Sequence, residues 1–215
     1  QIEHLRSLGT GVIAVAMSGD FVQRGAPAWT DKYTRTQMAL SQGADLVFEL
    51  PTVYTLSSAE HFAFGGISLL NALHMDSVCF GCETPSLPLL DSAAELLQKE
   101  PDDYRQTLQQ HLKSGASYPA AREAALRQSM PELPPDFLSG ANNILALEYL
   151  KALRSTHSTM TPVPILRTDS GYHSTELSCG TFSSASAIRF SYKDTDSLND
   201  ISHALPEEIM TLLKK

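Results

Sequence analysis

The sequence predicts an α/β fold built on a doubly wound parallel sheet, with a helical insertion. Three observations predict it. Gly11–Met17 (GVIAVAM) is a continuous apolar run of strand length, the mark of a parallel strand covered on both faces. Asp45–Leu50 (DLVFEL) and Ser77–Gly81 (SVCFG) are two further short runs of the same kind. Helix-patterned sequence fills the intervals between them. Strand, helix, strand, helix, strand requires crossovers, and crossovers make neighbouring strands parallel. In such sheets ligands bind beyond the carboxyl ends of the strands.

Each element has a local reason. Gln1–Leu8 reads as the last turns of a helix. Thr30 is the expected N-cap of a helix over Asp31–Gln42, which Gly43 ends. Pro51 stops the second strand. Ser57-Ser58-Ala59-Glu60 has the capping-box pattern and opens a helix to about His74. Asp91–Glu100, Asp102–Ser114 and Tyr118–Met130 are helical, separated by Pro101 and Gly115, and Met130–Pro135 is a proline-rich connector. Asn142–Arg154 is a further helix and Val163–Arg167 a fourth strand. Asp169–Gly180 is a polar loop, Ser184–Tyr192 a short helix, and Pro206–Leu213 the last helix. The expected layout is a first core half over 1–90, a helical insertion over 91–140 and a second core half over 141–215.

Composition narrows the function classes. In 215 residues, apolar types make up 42 % and charged types 19 %, the balance of a chain that folds on its own core. No apolar run approaches the roughly 20 residues that span a bilayer, so no membrane role is expected. Three cysteines are too few for a disulfide framework, which points to a reducing cytoplasm. A net charge of −8 excludes a surface that grips nucleic acid everywhere, while leaving room for a local basic groove.

The segments beyond the strand ends hold the candidate chemistry. Ser18-Gly19-Asp20-Phe21-Val22-Gln23-Arg24-Gly25 joins glycines, a hydroxyl and a guanidinium. Its backbone N–H groups and Arg24 suit a phosphate, with Ser18 and Gly19 beside it. The plainer alternative is an ordinary strand–helix loop. It is not a Walker A loop. Asp31 and Arg35 stand at i, i+4 and read first as a helix-surface ion pair; Lys32 or Arg35 on a phosphate is the sharper option. Cys79-Phe80-Gly81-Cys82 is a CxxC inside an apolar strand. With Cys179 far along the chain, it reads as core rather than as metal or redox chemistry. Asn142 and Asn143 either cap the helix they open or point an amide at a ligand. Arg167, with Tyr172 and His173 behind it, follows a strand. Ser184, Ser186 and Arg189 line a helix start that could seat a phosphate.

Taken together, these segments resemble the tRNA(Met) cytidine acetate ligases, bacterial members of the HIGH-type nucleotidyltransferase superfamily. The resemblance is carried in order by Ser18–Gly25 with Pro27, Asp45–Pro51, Phe80-Gly81-x-Glu83 and Gly115-Ala116-Ser117-Tyr118-Pro119. Asn142-Asn143-Ile144-Leu145, Tyr172-His173 and Ser184-Ala185-x-Ala187-Ile188-Arg189 complete it. It implies a Rossmann-like core that uses ATP to activate acetate as acetyl-adenylate. The product is N4-acetylcytidine at the wobble position of elongator tRNA(Met). It also implies ATP contacts at Gly81, Asn143 and Arg167. Magnesium is expected with the ATP, without an assigned protein ligand, and no catalytic residue is assigned. The family's N-P-F-H-x-G-H loop and first strand are expected upstream of Gln1, and a part that helps hold tRNA beyond Lys215. Alternatives are a nucleotidyltransferase with another acceptor, or a nucleotide-binding module without chemistry.

Overall fold

Parallel pairing across helical crossovers organises the chain. The structure, a computed structural model, describes residues 1–23, 25–135, 137–167, 185–195 and 197–214, and not the side chains of Ser186, Asp194 and Thr195. In chain order the elements are α1 (Ile2–Ser7), β1 (Ala14–Ser18), α2 (Lys32–Ser41), β2 (Leu46–Leu50), α3 (Thr52–Thr55), α4 (Ala59–Ala72) and β3 (Ser77–Cys82). Then follow α5 (Leu87–Lys99), α6 (Asp102–Lys113), α7 (Tyr118–Ser129), α8 (Ala141–Ser155), β4 (Thr161–Leu166), α9 (Ala185–Thr195), a 3₁₀ turn at Leu198–Ala204, and α10 (Glu207–Leu213). None of the described helices is long and apolar enough to cross a membrane.

The chain divides into two compact units. The first comprises Gln1–Ser58 and Arg167–Lys215. Here β1 and β2 pair in parallel, with Ala14 opposite Leu46 and Ser18 opposite Leu50. The crossover helix α2 packs on α10. Ile13, Ala44, Leu50, Ile188, Ile201, Ile209 and Met210 are buried. Arg6 of α1 ties the strand starts together, donating to the Gly11 and Gly43 carbonyls at 2.6 and 3.0 Å and to Asp45 Oδ2 at 2.6 Å. That same Asp45 oxygen accepts the Ile13 N–H at 2.7 Å. Asp45 therefore lies just outside β2 rather than opening it.

The second unit, Ala59–Leu166, has β3 and β4 in parallel register from Ser77–Thr161 to Cys82–Leu166. Helices α5–α8 form the crossover. One core joins Val78, Phe80 and Cys82 of β3 to Leu90, Leu97, Tyr104, Leu126, Phe137, Leu147 and Leu150. The Thr161 N–H donates to Asp76 O at 2.9 Å, toward the β3 side. Strand alternation then turns Pro162 and Pro164 away from β3, where a missing N–H costs no ladder bond. Two prolines thus protect the outer edge of β4.

Several local expectations change. Asp31, not Thr30, caps α2: its Oδ1 accepts the Tyr33 and Thr34 N–H groups at 2.9 and 3.0 Å. Its carboxylate carries full charge at the positive helix end, which a hydroxyl does not. Ser57 makes no capping box: α4 begins at Ala59, one residue too late for Ser57 to cap it, and the Ser57 hydroxyl donates to Val53 O at 2.7 Å in the turn behind. Helix α3 after Pro51 carries no sequence signal of its own. Helix α5 starts at Leu87, earlier than expected, since Pro88 fits a first turn that needs no N–H. Gly43 ends α2 as expected. At φ 97° it lets its own N–H reach Leu40 O and the Ala44 N–H reach Ala39 O, which closes the last turn.

Burial in the second unit is almost wholly apolar, with one charged exception. Glu148 of α8, 5 % exposed, takes Arg122 Nη2 at 3.1 Å and Lys151 Nζ at 2.7 Å. Removing the shared carboxylate leaves two half-buried cations, so Glu148→Ala is expected to lose about 3 kcal/mol in urea unfolding. Lys151→Ala should lose less, because Arg122 still neutralises Glu148. Equal losses would show that the three groups do not act as one network. In the first unit, Ile13 N–H and then Arg6 hold Asp45 below its ordinary carboxyl value of 3.8. Stability from this group is complete above the unfolded value and is lost as pH falls through the lower folded one. Asp45→Asn should therefore flatten the acid limb of the stability profile below about pH 4. An unchanged limb would remove Asp45 from the account.

Candidate functional site

Strand ends are where the sequence places the site, and each unit contributes one that can be described by itself. In the second unit β3 alternates, with Val78, Phe80 and Cys82 buried and Gly81 half-buried on the other face. The chain then leaves the ladder at Glu83, and its next backbone groups need partners. Helix α8 supplies them. Asn143 Oδ1 accepts the Glu83 and Thr84 N–H groups at 3.1 and 3.0 Å. Its Nδ2 donates to Thr84 Oγ1 at 3.2 Å and to Phe137 O at 3.0 Å. With two donors and two acceptor positions in use, this amide is saturated, and it is 1 % exposed.

The contact is reciprocal. Helix α8 has Gly140 at its N-cap and no side-chain cap of its own. Glu83 provides one from across the fold. Its Oε2 accepts the Asn143 N–H at 2.6 Å, and its Oε1 accepts Asn142 N–H at 3.3 Å and Asn142 Nδ2 at 2.7 Å. A carboxylate at the positive end of a helix is favourably placed. The approach needs Gly140, because a Cβ there would lie 2.6 Å from the Glu83 carboxyl carbon. Both asparagines therefore sit inside α8 and neither caps it, which corrects the capping expectation. From the sequence, Glu83 of the Phe80-Gly81-x-Glu83 segment carries no assigned role. The one signal for its role was a helix that opens on a glycine, a poor cap beside serine or aspartate.

In the first unit, the exit of β1 is held by cations. Arg35 Nη2 donates to the Ser18 carbonyl at 2.8 Å and, more closely, to the Gly19 carbonyl; Nε donates to Thr30 O at 3.2 Å. The expected Asp31–Arg35 ion pair is thus not made, since Asp31 is engaged as the α2 cap and Arg35 on backbone oxygens. Lys32 Nζ instead meets Glu49 of β2 at 2.9 and 3.2 Å, a hydrogen bond that pushes the ammonium pKa up. Gly19 is buried beneath that carboxylate: a Cβ would stand 2.1 Å from Glu49 Oε1. Ser18 is the last residue of β1 and half-buried, and the loop beyond it is closed by a Phe21–Pro27 bridge.

Other candidates take up separate positions. Arg167 is exposed and directly follows Leu166 of β4; Arg189 is exposed on α9. Arg24, Tyr172, His173, Cys179, Ser183 and Ser184 lie outside the described residues, as does the side chain of Ser186. Among the described residues no cluster of three or more His, Cys, Asp or Glu is placed to hold a metal ion. Cys79 and Cys82 are three apart on a strand, so they face opposite sides of it and cannot act as a pair. Burial raises both thiols, Cys82 to about 11.

The whole of residues 1–215 matches the family model described as HIGH Nucleotidyl Transferase, and the chain belongs to that family. Among its curated relatives is the tRNA(Met) cytidine acetate ligase of Clostridium perfringens, 45 % identical over 213 residues, covering 95 % of this chain and 52 % of that protein. Another, from a Thermoanaerobacter species, is 50 % identical over 175 residues, covering 80 % of this chain and 43 % of the relative. Two crystal structures of Thermotoga maritima TmcAL match 99 % of the chain. The apo form superposes with a TM-score of 0.89 at 34 % identity and 52 % coverage of that chain. The form bound with alpha-thio ATP gives 0.84, 33 % and 51 %. The chain spans about half the length of the curated relatives it matches.

The thiols give a direct check on the strand end. With both pKa values raised, thiolate is scarce near neutrality. Peptides carrying Cys79 and Cys82 should stay unlabelled by iodoacetamide at about pH 8 in the folded protein and label after denaturation. Equal labelling in both states would show that the β3 end opens.

Proposed function

We propose that the chain is the nucleotide-binding core of an ATP-dependent tRNA(Met) cytidine acetate ligase that acts in the cytoplasm. The observation carrying this is the match along 99 % of the chain to TmcAL bound with alpha-thio ATP, a nucleotide altered at the phosphate that adenylation attacks. On this reading an acetate oxygen attacks the α-phosphorus of ATP, and pyrophosphate leaves with the electrons of the broken bond. The N4 amine of the wobble cytidine of elongator tRNA(Met) then attacks the acetyl carbonyl. AMP leaves, and the amine gives up one proton.

Such chemistry asks mainly for positioned phosphates and fixed charge. Gly81 leaves room for nucleotide beside β3, Asn143 contributes at the same exit, and the exposed Arg167 meets phosphate. Ser18, Gly19 and Arg24 at the β1 exit, with Ser186 and Arg189 on α9, are the further phosphate or substrate contacts. Magnesium would accompany the ATP phosphates; no cluster of described residues is suited to hold it, and no step is assigned to it.

The test is acetate-dependent exchange of labelled pyrophosphate into ATP by the full-length polypeptide. Label in ATP only when acetate is present is the expected result. Exchange that ignores acetate, or none from folded protein with tRNA added, would overturn the acetate reading in favour of another acceptor. Arg167→Ala should weaken ATP binding roughly 10- to 100-fold, the loss of one charge-assisted hydrogen bond to phosphate, with the fold kept. Unchanged ATP affinity would take Arg167 out of the site.

A further inference from the structure

We propose that Glu83 is a positioning residue for the nucleotide: its carboxylate, clasped by the start of α8, fixes the backbone by which the chain leaves β3 two residues after Gly81. The inference rests on the reading of Gly81 as a nucleotide contact and adds a residue that touches no substrate.

The argument is one of orphaned groups. The Glu83 and Thr84 N–H groups have left the β ladder, and Asn143 Oδ1 takes both. The Asn142 and Asn143 N–H groups open a helix without a cap of its own, and Glu83 takes both. Each partner satisfies what the other leaves open, so neither end can shift without exposing unpaired donors on both. Two of these bonds end on the Glu83 carboxylate, as does a third from Asn142 Nδ2, and all three are charge-assisted. Position 140 must lack a side chain for the clasp to close, since a Cβ would lie 2.6 Å from the Glu83 carboxyl carbon.

The saturated amide points the same way. Any direct bond from the Asn143 side chain to a ligand would displace Glu83, Thr84 or Phe137. Asn143 therefore serves the nucleotide through the strand exit that it holds together with Glu83. A site that depends on a backbone path is sensitive to small movements: a displacement of about 1 Å can cost on the order of a hundredfold in rate.

The experiment measures ATP binding and acetate-dependent exchange in the full-length polypeptide, with melting temperature followed separately. Glu83→Gln and Gly140→Ala should each raise KM for ATP about tenfold or more while KM for acetate stays at the wild-type value. In a Glu83→Ala background, adding Gly140→Ala should cause no further loss, because the carboxylate it would strike is gone. Should Glu83→Gln fail to fold, Asn142→Ala removes a single donor to Glu83 and should raise KM for ATP in the same direction, by a smaller factor. Folded variants with lower melting temperature and wild-type KM for ATP would overturn the proposal, as would additive effects of Gly140→Ala and Glu83→Ala. Wild-type protein that does not bind ATP would overturn the nucleotide reading itself, an outcome distinct from variants that bind as well as the wild type.

Discussion

A parallel strand that leaves its sheet carries amide and carbonyl groups that the neighbouring strand no longer pairs, and both units are organised around satisfying them. The solutions differ in sign. At the exit of β1, Arg35 reaches the carbonyls of Ser18 and Gly19, cation to oxygen. At the exit of β3 the exposed groups are N–H donors, and the Asn143 amide oxygen takes those of Glu83 and Thr84. The carboxylate beside them then takes the donors of α8. Each side chain matches the group left open, and in each case the partner comes from a helix of the following crossover. Crossover topology brings strand ends and helix starts together, which is why one residue can close both.

Helix ends show the same economy. Helices α4 and α8 lead into β3 and β4, and each ends on a histidine of positive φ: His74 at 54° and His157 at 50°. The Met75 N–H reaches back to Leu70 O and the Ser158 N–H to Leu153 O, the closure that Gly43 gives α2. A non-glycine residue there costs about 1 kcal/mol. Two of the seven histidines thereby have a backbone role, consistent with their lack of any ligand spacing.

What could be read from the sequence follows the range of each interaction. Apolar runs located all four strands within a few residues, and Gly43 and Gly115 marked helix ends, because these signals are local. Asp31 reads from the sequence as the first residue of α2 rather than its cap, because Thr30 and Asp31 are both good caps and only the folded turn chooses between them. Arg35 looked like half of a surface pair, since i, i+4 spacing is visible and a carbonyl 17 positions away is not. The Glu83–Asn143 contact joins residues 60 apart, and nothing near either one announces the other. For the candidate site, residue types at the strand ends were legible. Which of them hold backbone and which face a ligand was not, because that depends on saturation, a property of the assembled fold.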